Sequence, residues 1–432
     1  MKVKDSLPKI YAVLLAAGLL AGMQPARAEE GLTLDDYFAA TLTRSEVVAT
    51  QSELIRQAEQ RYHQASAALY PTLSGVASYT WQDSGARDLT ASPSHQPLAR
   101  ITATQPIFRG FREFAALRQT QALMDAQGDD YRHARTQLFK DVAQNFYDVL
   151  ALEQDVKNVE EQISQYQQRE KELQDRVRIG RSRPSEVLTI QSAISTLRAQ
   201  IEQRKAELST AREAFAFLSG LSANTALRDS QQLPVLELDM LETHLARLAL
   251  RPDVSAAQRR QVAAQEHIAV VRGGHLPSLD LNANRYLERT GSLENVDWDV
   301  QLVLTVPLYD GGLVQSRVRE ALSQGTQAEL ATSLVRRQAE QEIRSTYQSV
   351  VLDRSQLGAL EKATAAAQKN YTAQQRDYRL GLVTNLDVLQ AQIAFQENQR
   401  TLDRARYNAK LNYLRLQVAT ARRPATREGT TP

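Results

Sequence analysis

Two long tracts of the chain carry apolar residues at every seventh position, the period of a coiled coil. In the first tract a four-residue step separates two such series, at Leu117, Met124, Tyr131 and Leu138 and then at Val142, Val149, Val156 and Ile163. The second tract keeps the spacing at Val350, Leu357, Tyr371 and Tyr378, with Thr364 at the intermediate position. Neither tract contains proline, which helix interiors exclude. The pattern predicts two helices of about 70 residues, each roughly 105 Å long.

Shorter helices are predicted on either side of each long one. Each half of the chain opens with a short helix, continues into the long helix, and turns at a glycine into a third helix. The predicted ranges are about 33–68, 111–178 and 188–219 in the first half, and about 252–274, 312–378 and 388–420 in the second.

The two halves are copies of one unit. Pro71 corresponds to Pro277, the segment "QPIFRGF" at 105–111 to "VPLYDGG" at 306–312, and Gly180 to Gly381, always about 200 residues apart. We therefore predict two structural repeats, 29–228 and 246–421, with a linker at 229–245 and a flexible tail at 422–432.

Between the short and the long helix of each repeat, apolar and polar residues alternate with the period of two that is typical of β-strands. In "SLDLNANRYL" the polar residues alternate with leucine and alanine, and in "WDVQLVLTV" the apolar residues share one face. The predicted hairpins span about 73–106 and 278–307. Each strand has about ten residues, the length of a tilted transmembrane strand. Four strands cannot close a barrel, since barrels begin at about eight, so several protomers would share one.

The N-terminus predicts export. Three lysines precede the apolar run "IYAVLLAAGLLAGM", and "ARA" at 26–28 matches a cleavage site. The predicted signal peptide is 1–28. Its removal lowers the formal net charge from +2 to about −1, so charge gives no support for nucleic-acid binding. The chain has no cysteine, which excludes a disulfide framework and a zinc–thiolate site.

No other chemistry is indicated. The six histidines are scattered without the spacing of a zinc protease, and no nucleophile lies beside a base. We expect no catalytic residue, no metal and no cofactor. The many Glu and Arg residues of the long helices are predicted to form solvated coiled-coil faces.

The signal peptide, the duplicated halves, "VPLYDGG" and the glycine turn "LGLVTNLDVLQAQ" together resemble the TolC family of outer-membrane efflux proteins, over essentially the whole mature chain. The resemblance implies a mainly α-helical fold with a small membrane β part. Three protomers would share a twelve-stranded transmembrane β-barrel that continues into a long coiled-coil α-helical barrel in the periplasm. It also implies a periplasmic adaptor and an inner-membrane transporter (RND, ABC or similar) as partners, and outer-membrane lipid around the barrel.

The glycine turns are the candidate site. They are predicted to line the periplasmic mouth and to dock the adaptor through Gly180, Arg181, Ser182, Arg183, Gly381, Leu382, Val383 and Thr384. Ser185, and either Thr384 or Asn385, are the expected N-caps of the helices that follow, with Glu186 and Asp387 near the positive helix ends.

By resemblance, Tyr378, Ser185 and Glu186 match positions where the family ties neighbouring coils to keep the mouth shut. The chain has Val383 and Gln390 where the family can use a latch arginine and a second acid. Repeated by symmetry, Asp387 would form a carboxylate ring that favours cations, which the arginines near Gly180 would partly offset. The alternative is that Asp387 and Glu186 only cap their helices.

The function expected from these features is that of a passive exit duct through periplasm and outer membrane, with energy supplied by the inner-membrane partner. The cargo is not encoded in any motif of the sequence. The alternative is an exported coiled-coil scaffold without a pore, which shares the signal peptide, the heptads and the repeat. An exported hydrolase has no residue-level support.

Overall fold

The computed structural model describes residues 31–83, 94–231, 238–291 and 293–422. The predicted signal peptide at 1–28 lies outside the described residues, as does the tail beyond Arg422. Over these described residues the chain is mainly helical, with one four-stranded sheet.

The first repeat contains the helices α1 (Leu34–Arg44), α2 (Glu46–Ala67), α3 (Arg112–Arg178) and α4 (Pro184–Ser219) and the strands β1 (Thr72–Trp81) and β2 (His95–Arg109). A short helix, α5 (Leu241–Leu245), precedes the second repeat. That repeat contains α6 (Pro252–Arg272), β3 (Ser278–Arg289), β4 (Trp298–Thr305), α7 (Leu313–Arg379) and α8 (Asn385–Ala419).

The first predicted helix, 33–68, is in fact two helices that meet at Ser45. The backbone of Ser45 is extended, and its hydroxyl accepts a hydrogen bond from the N–H of Val48, so it caps α2 as α1 ends. A serine that can bond to a nearby backbone N–H competes with helix continuation. The break separates α1, which packs into the core, from the more exposed α2.

The long helices organise the chain into a layer one helix thick. Helix α3 lies between α2 and α6 over its first half and between α4 and α8 over its second half, while α7 packs on α6 and α8. Both α3 and α7 contain 67 residues, and each is therefore about 100 Å long. The layer ends at α2 and α4 on one side and at α7 on the other.

The main apolar cluster lies near the middle of the layer. Helix α1 inserts Tyr37 and Phe38 among α3, α4 and α8, where both side chains are fully buried. The Tyr37 hydroxyl donates a hydrogen bond of 2.8 Å to Asn145, and the ring of Phe38 meets the ring of Phe139 edge to face. This cluster fixes the position of the first repeat's helices against α8.

The sheet is antiparallel in the order β1-β2-β3-β4, and the β2–β3 pair joins the two repeats. A row of polar residues crosses one face, in the order Ser74, Thr102, Asn284 and Asp299. Thr102 and Asn284 are joined by a hydrogen bond of 2.8 Å, and the Asn284 amide donates to Asp299 at 2.8 Å. The other face carries alternating apolar residues such as Leu73, Ala103, Ala283 and Leu304.

Among the described helices, none combines the length and the apolar character needed to cross a membrane.

The sheet leads into each long helix through a left-handed residue. Gly312 begins α7 with φ 82°, and its counterpart Phe111 begins α3 with φ 61°. The Asp310 carboxylate accepts hydrogen bonds of 2.9 Å from the N–H groups of Gly312 and Val314. The motif "VPLYDGG" is thus a helix start: the aspartate satisfies free N–H groups and the glycines allow the turn.

Gly312→Ala is expected to lower the free energy of unfolding by about 1 kcal/mol, because an alanine in the left-handed region is strained. No atom lies within 4 Å of the added Cβ, so the loss comes from the backbone alone. Gly128→Ala is the matched control: it adds the same methyl group, also in open space, to the interior of α3. The control should stabilise by about 0.5–1 kcal/mol. Thermal unfolding followed by circular dichroism measures both, and equal effects in the two variants would contradict the explanation.

Candidate functional site at the helical turns

The α7–α8 turn has a glycine C-terminus followed at once by a capped helix. Gly381 has φ 78°, and the N–H of Leu382 donates back to the carbonyl of Asp377 at 2.9 Å. Thr384 is the N-cap of α8, which decides between the two predicted candidates. Its hydroxyl and its backbone N–H both donate to Asp387, at 2.6 and 2.8 Å, and form a capping box. The turn is short because the cap starts the next helix three residues after Gly381.

The α3–α4 turn has the same glycine but a different cap. Gly180 has φ 70°, and the N–H of Arg181 donates to the carbonyl of Arg176 at 2.8 Å. The predicted N-cap Ser185 is wrong: the N-cap is Arg183, and Pro184 is the first helical residue. Proline favours this position because its fixed φ suits the helix and its missing N–H needs no partner.

Glu186 and Ser185 lie in the first turn of α4. The Ser182 hydroxyl donates a hydrogen bond of 2.6 Å to the Glu186 carboxylate, so the bond of Glu186 stays inside its own turn. Ser185 is exposed. The Ser182–Glu186 bond does not tie α4 to a neighbouring helix.

Tyr378 lies between helices and is 7% exposed. Its ring is covered by two guanidinium groups of α3, those of Arg169 and Arg176, with the Cζ atoms 4.2 and 4.5 Å from the ring centroid. Arg169 also donates two hydrogen bonds, of 3.1 and 3.0 Å, to the side-chain oxygen of Asn385. One arginine therefore connects α3 to the end of α7 and to the start of α8.

The sequence did not single out Arg169, Arg176 or Asn385. The spacing of seven residues between the two arginines places them on one face of α3, and this was the available signal. An apolar cluster continues below them and includes Leu173, Val388 and Leu389, with Val383 packed against its edge. The two turns thus lie at the same end of the molecule and share one core.

The surface of the two turns combines apolar and basic groups. The residues predicted to dock the adaptor are exposed, apart from Ser182 and Val383, which are half-buried. Large apolar side chains are exposed beside them, namely Ile179, Leu188, Leu380, Leu382 and Leu386. Arg181 and Arg183 add positive charge on the α3–α4 side.

Asp387 keeps its negative charge at neutral pH. The hydrogen bonds from the Thr384 side chain and, second, from the Thr384 backbone N–H lower the pKa of this carboxyl below its ordinary value. The same bonds show that Asp387 caps α8. The structure describes a single protomer, so a ring of carboxylates stays a prediction.

Farther up the layer, Asp155 of α3 is held by three arginines. Arg400 and Arg404 of α8 donate to its carboxylate at 2.7 and 2.6 Å, and Arg204 of α4 lies 3.1 Å away. The Asp155 side chain is 2% exposed. Burial alone would raise its pKa, but the hydrogen bonds and charges of the arginines outweigh burial and lower it. The prediction that the charges of the long helices are solvated is wrong here.

Within the described ranges, no group of three or more His, Asp or Glu side chains is arranged to hold a metal ion. The contacts at the turns are structural: they join helices, cap them and leave an exposed rim.

Comparison with known proteins identifies the family. The model of the family described as "Outer membrane efflux protein" matches residues 40–221 and 246–422, which is most of the chain and corresponds to the two repeats. The chain belongs to the outer membrane efflux protein family.

Several members of the family are similar over nearly their full length. The outer membrane protein TolC of Escherichia coli K12 is 23% identical, with 96% of this chain and 86% of TolC covered. The outer membrane efflux protein BepC of Brucella suis is also 23% identical, with 97% and 91% covered. Among solved structures, CusC superimposes with a TM-score of 0.78 at 20% identity, covering 90% of this chain and 91% of its own. VceC of Vibrio cholerae gives 0.77 at 18% identity, covering 90% and 95%.

These similarities confirm the resemblance to TolC, the fold class and the general function. The protein is an outer-membrane exit channel of the efflux and secretion type. Its relatives are channel proteins and not enzymes, so the expectation of no enzymatic activity is confirmed, and the pore-free scaffold loses its support.

Proposed function

We propose that three copies of this outer membrane efflux protein form one exit duct, which conducts cargo passively from a periplasmic adaptor and an inner-membrane transporter of the RND, ABC or a similar class. The observation that carries the proposal is the open form of the protomer. Among the described residues, β1 and β4 each have an unpaired edge, and the helical layer is unclosed at α7. Three copies would supply twelve strands, within the range of closed barrels.

The exposed residues of α7 support assembly through the sides of the layer. Large apolar side chains lie along its solvent-exposed surface, at Leu322, Leu330, Leu334, Val351 and Leu352. Exposed apolar surface of this extent on a soluble helix is typical of an interface. The opposite side of the layer offers Val47 and Leu188 as apolar contacts. Helix α7 of one copy would then pack against α2 and α4 of the next and close the helical tube.

The two faces of the sheet support a barrel in lipid. The apolar face carries Tyr79, Trp81 and Trp298 near the strand ends, where aromatic residues are enriched in membrane barrels. The polar row from Ser74 to Asp299 would then line the lumen. The signal peptide at 1–28 would direct export, and the helices would form the large periplasmic part.

The helical turns would form the periplasmic mouth. The link from Arg169 to Tyr378 and Asn385 holds the α7–α8 turn against α3, and we assign it the role of keeping the mouth narrow when no adaptor is bound. Tyr378 is part of this contact, whereas Ser185 and Glu186 would act on the rim of the α3–α4 turn. The exposed leucines and arginines around Gly180 and Gly381 suit a partner with apolar and acidic groups, which fits the proposed adaptor.

The cargo is left open because the family includes proteins with different named roles. One relative is a cation efflux system protein, CusC, and another is a proteases secretion protein, PrtF. A wide passive duct discriminates little, so the inner-membrane partner would choose the cargo.

Membrane fractionation, detergent extraction and mass determination test the assembly. We expect the protein in the outer-membrane fraction, and a purified particle with the mass of three mature chains. A soluble monomer would overturn the proposed duct.

Replacing Asp387 by asparagine tests the carboxylate ring. Asparagine removes the charge but can still accept the hydrogen bonds of Thr384, so the cap of α8 is retained. We expect the ratio of cation to anion permeability in planar bilayers to fall about two- to threefold. A change of roughly half an RT in the local potential would produce this, because cations and anions shift in opposite directions. Arg181→Gln, which removes a charge of opposite sign at the other turn, should raise the ratio. An unchanged ratio in Asp387→Asn would mean that Asp387 only caps its helix.

A further inference from the structure

The two hairpins have the same register once the repeat is taken into account. In the first, Thr72 lies opposite Thr104, and in the second, Ser278 lies opposite Thr305. The sequence gives an offset of 206 between the first strands of the hairpins, from Pro71 and Pro277, and of 201 between the second strands, from Pro106 and Pro307. Adding these offsets to Thr72 and Thr104 gives Ser278 and Thr305. The repeats are therefore equivalent residue by residue in the sheet, and a contact in one predicts its counterpart in the other.

One junction of the sheet has no counterpart among the residues that the structure describes in one chain. Strand β2 of the first repeat pairs with β3 of the second. The counterpart of β2 is β4, and the counterpart of β3 is β1. The equivalent junction would therefore join β4 to β1. Within one protomer β1 and β4 are at opposite edges, so this junction requires a second copy of the chain.

The side chains at the end of β4 are exposed, as expected for a strand whose partner strand is missing. Pro106, Phe108 and Arg109 of β2 continue the ladder past an irregularity at Ile107, and Phe108 lies opposite Leu279 and is half-buried. Their counterparts at 307–310 follow the end of β4 at Thr305 and are unpaired in the described chain. Leu308 and Tyr309 are each 92% exposed. Pairing with β1 of another copy would cover Tyr309 as Phe108 is covered.

We propose that β4 of one copy pairs with β1 of the next in the register of the β2–β3 junction. Val303 then lies opposite Ser78 of the next copy, as Thr102 lies opposite Asn284 within the chain. Leu304 lies opposite Ala77, and Leu302 opposite Tyr79, of the next copy. This register rests on the proposed trimer and goes beyond it, because it fixes which residues meet.

The faces of the two strands agree with the register. Leu302 and Leu304 share the apolar face of the sheet with Ala77 and Tyr79, whereas Val303 and Ser78 share the face of the polar row. A shift by one residue would bring apolar residues onto the polar face. The competing registers are therefore shifts by two, which place Ser78 opposite Gln301 or Thr305.

Disulfide crosslinking tests the register, since the chain has no cysteine of its own. Residues directly opposite have Cα atoms about 4.5–5.5 Å apart, within the range of about 4.4–6.8 Å for a disulfide, and residues shifted by two are about 7–8 Å apart. The double variant Ser78→Cys/Val303→Cys, oxidised with copper phenanthroline in membranes, should give crosslinked dimers and trimers on a non-reducing gel. Ser78→Cys/Gln301→Cys and Ser78→Cys/Thr305→Cys should give at least fivefold less product.

Two further variants make the result decisive. Thr102→Cys/Asn284→Cys is the counterpart pair inside one chain and should form a disulfide without any increase in mass. Ala77→Cys/Leu304→Cys tests the same register on the apolar face and replaces the first pair if that variant fails to assemble.

The outcomes separate the register from the trimer. Suppose that the particle has the mass of a trimer. Crosslinking through a shifted pair would then overturn the register, and so would failure of both expected pairs while Thr102→Cys/Asn284→Cys reacts. Either result would leave the proposed duct standing. A monomeric particle would overturn both.

Discussion

Asp155→Ala is expected to lower the free energy of unfolding by about 3 kcal/mol. Removing one partner from a buried ion pair costs about 3–5 kcal/mol because the remaining charge stays uncompensated. The loss should be at the lower end of this range, since Arg404 is 46% exposed and can recover its hydration. Thermal or chemical unfolding of the detergent-solubilised protein measures the change.

The matched control is Glu160→Ala, five residues further along α3. Glu160 is an exposed residue whose carboxylate is 3.5 Å from the Lys205 amine, and exposed pairs contribute about 0–1 kcal/mol. A loss as large in Glu160→Ala as in Asp155→Ala would show that the charge of α3, and not the buried cluster, determines stability.

The pH dependence of this contribution has a defined sign. The pKa of Asp155 is lowered in the folded protein, so the unfolded chain takes up a proton first as the pH falls. The stabilisation is complete above the unfolded pKa of about 4 and is lost as the pH falls through the lower, folded pKa. The stability difference between the unsubstituted protein and Asp155→Ala should therefore be constant from pH 5 to 8 and shrink below about pH 4. A difference that grows on acidification would contradict the assignment.

Arg169→Ala is expected to widen the proposed mouth. The substitution removes two charge-assisted hydrogen bonds to Asn385 and one of the two cations over Tyr378. It also leaves the buried oxygen of Asn385 without these donors. Hydrogen bonds to charged groups contribute about 1.5–3 kcal/mol and a cation–π contact about 0.5–2 kcal/mol. A combined loss of about 3 kcal/mol would shift a two-state mouth toward its open form by roughly 100-fold.

Single-channel recording in planar bilayers detects this shift as a larger conductance or a higher open fraction without an adaptor. Arg178→Ala is the matched control, because it removes the same charge from the last residue of α3, two residues before Gly180, where Arg178 pairs with Asp175 on the same helix. Tyr378→Phe keeps the ring under the arginines and should behave like the unsubstituted channel. Equal conductance in Arg169→Ala and Arg178→Ala would show that Arg169 does not keep the mouth closed.

Local features of the fold were accessible from the sequence because they depend on local periodicity. The heptads and the absence of proline predict a helix at about 111–178, and the structure has α3 at Arg112–Arg178. Alternation with period two likewise separated the faces of the strands, and glycine marked the turns. At the α3–α4 turn the same reasoning failed, since serine is the better cap by preference but Pro184 fixes an earlier helix start.

The side-chain contacts between distant segments at the site could not be predicted from local periodicity. Asp155 and Arg400 are 245 residues apart, and Arg169 and Asn385 are 216 apart. A heptad shows that a position faces another helix but does not say which helix supplies the opposing residue. Asp155 therefore had the same sequence signature as a solvated surface charge, and the spacing of Arg169 and Arg176 placed them on one face of α3 without indicating which residues they contact.

The sequence alone determined the duplicated order of helices and strands, the left-handed turns and the apolar face of the sheet, because these follow from backbone restrictions and from periods of two and seven. Only the tertiary structure decided that Asp155 is buried among three arginines, that Arg169 joins α3 to the end of α7 and the start of α8, and that β2 of the first repeat pairs with β3 of the second. Such contacts depend on which distant segments are adjacent in space, and adjacency is a property of the packed chain.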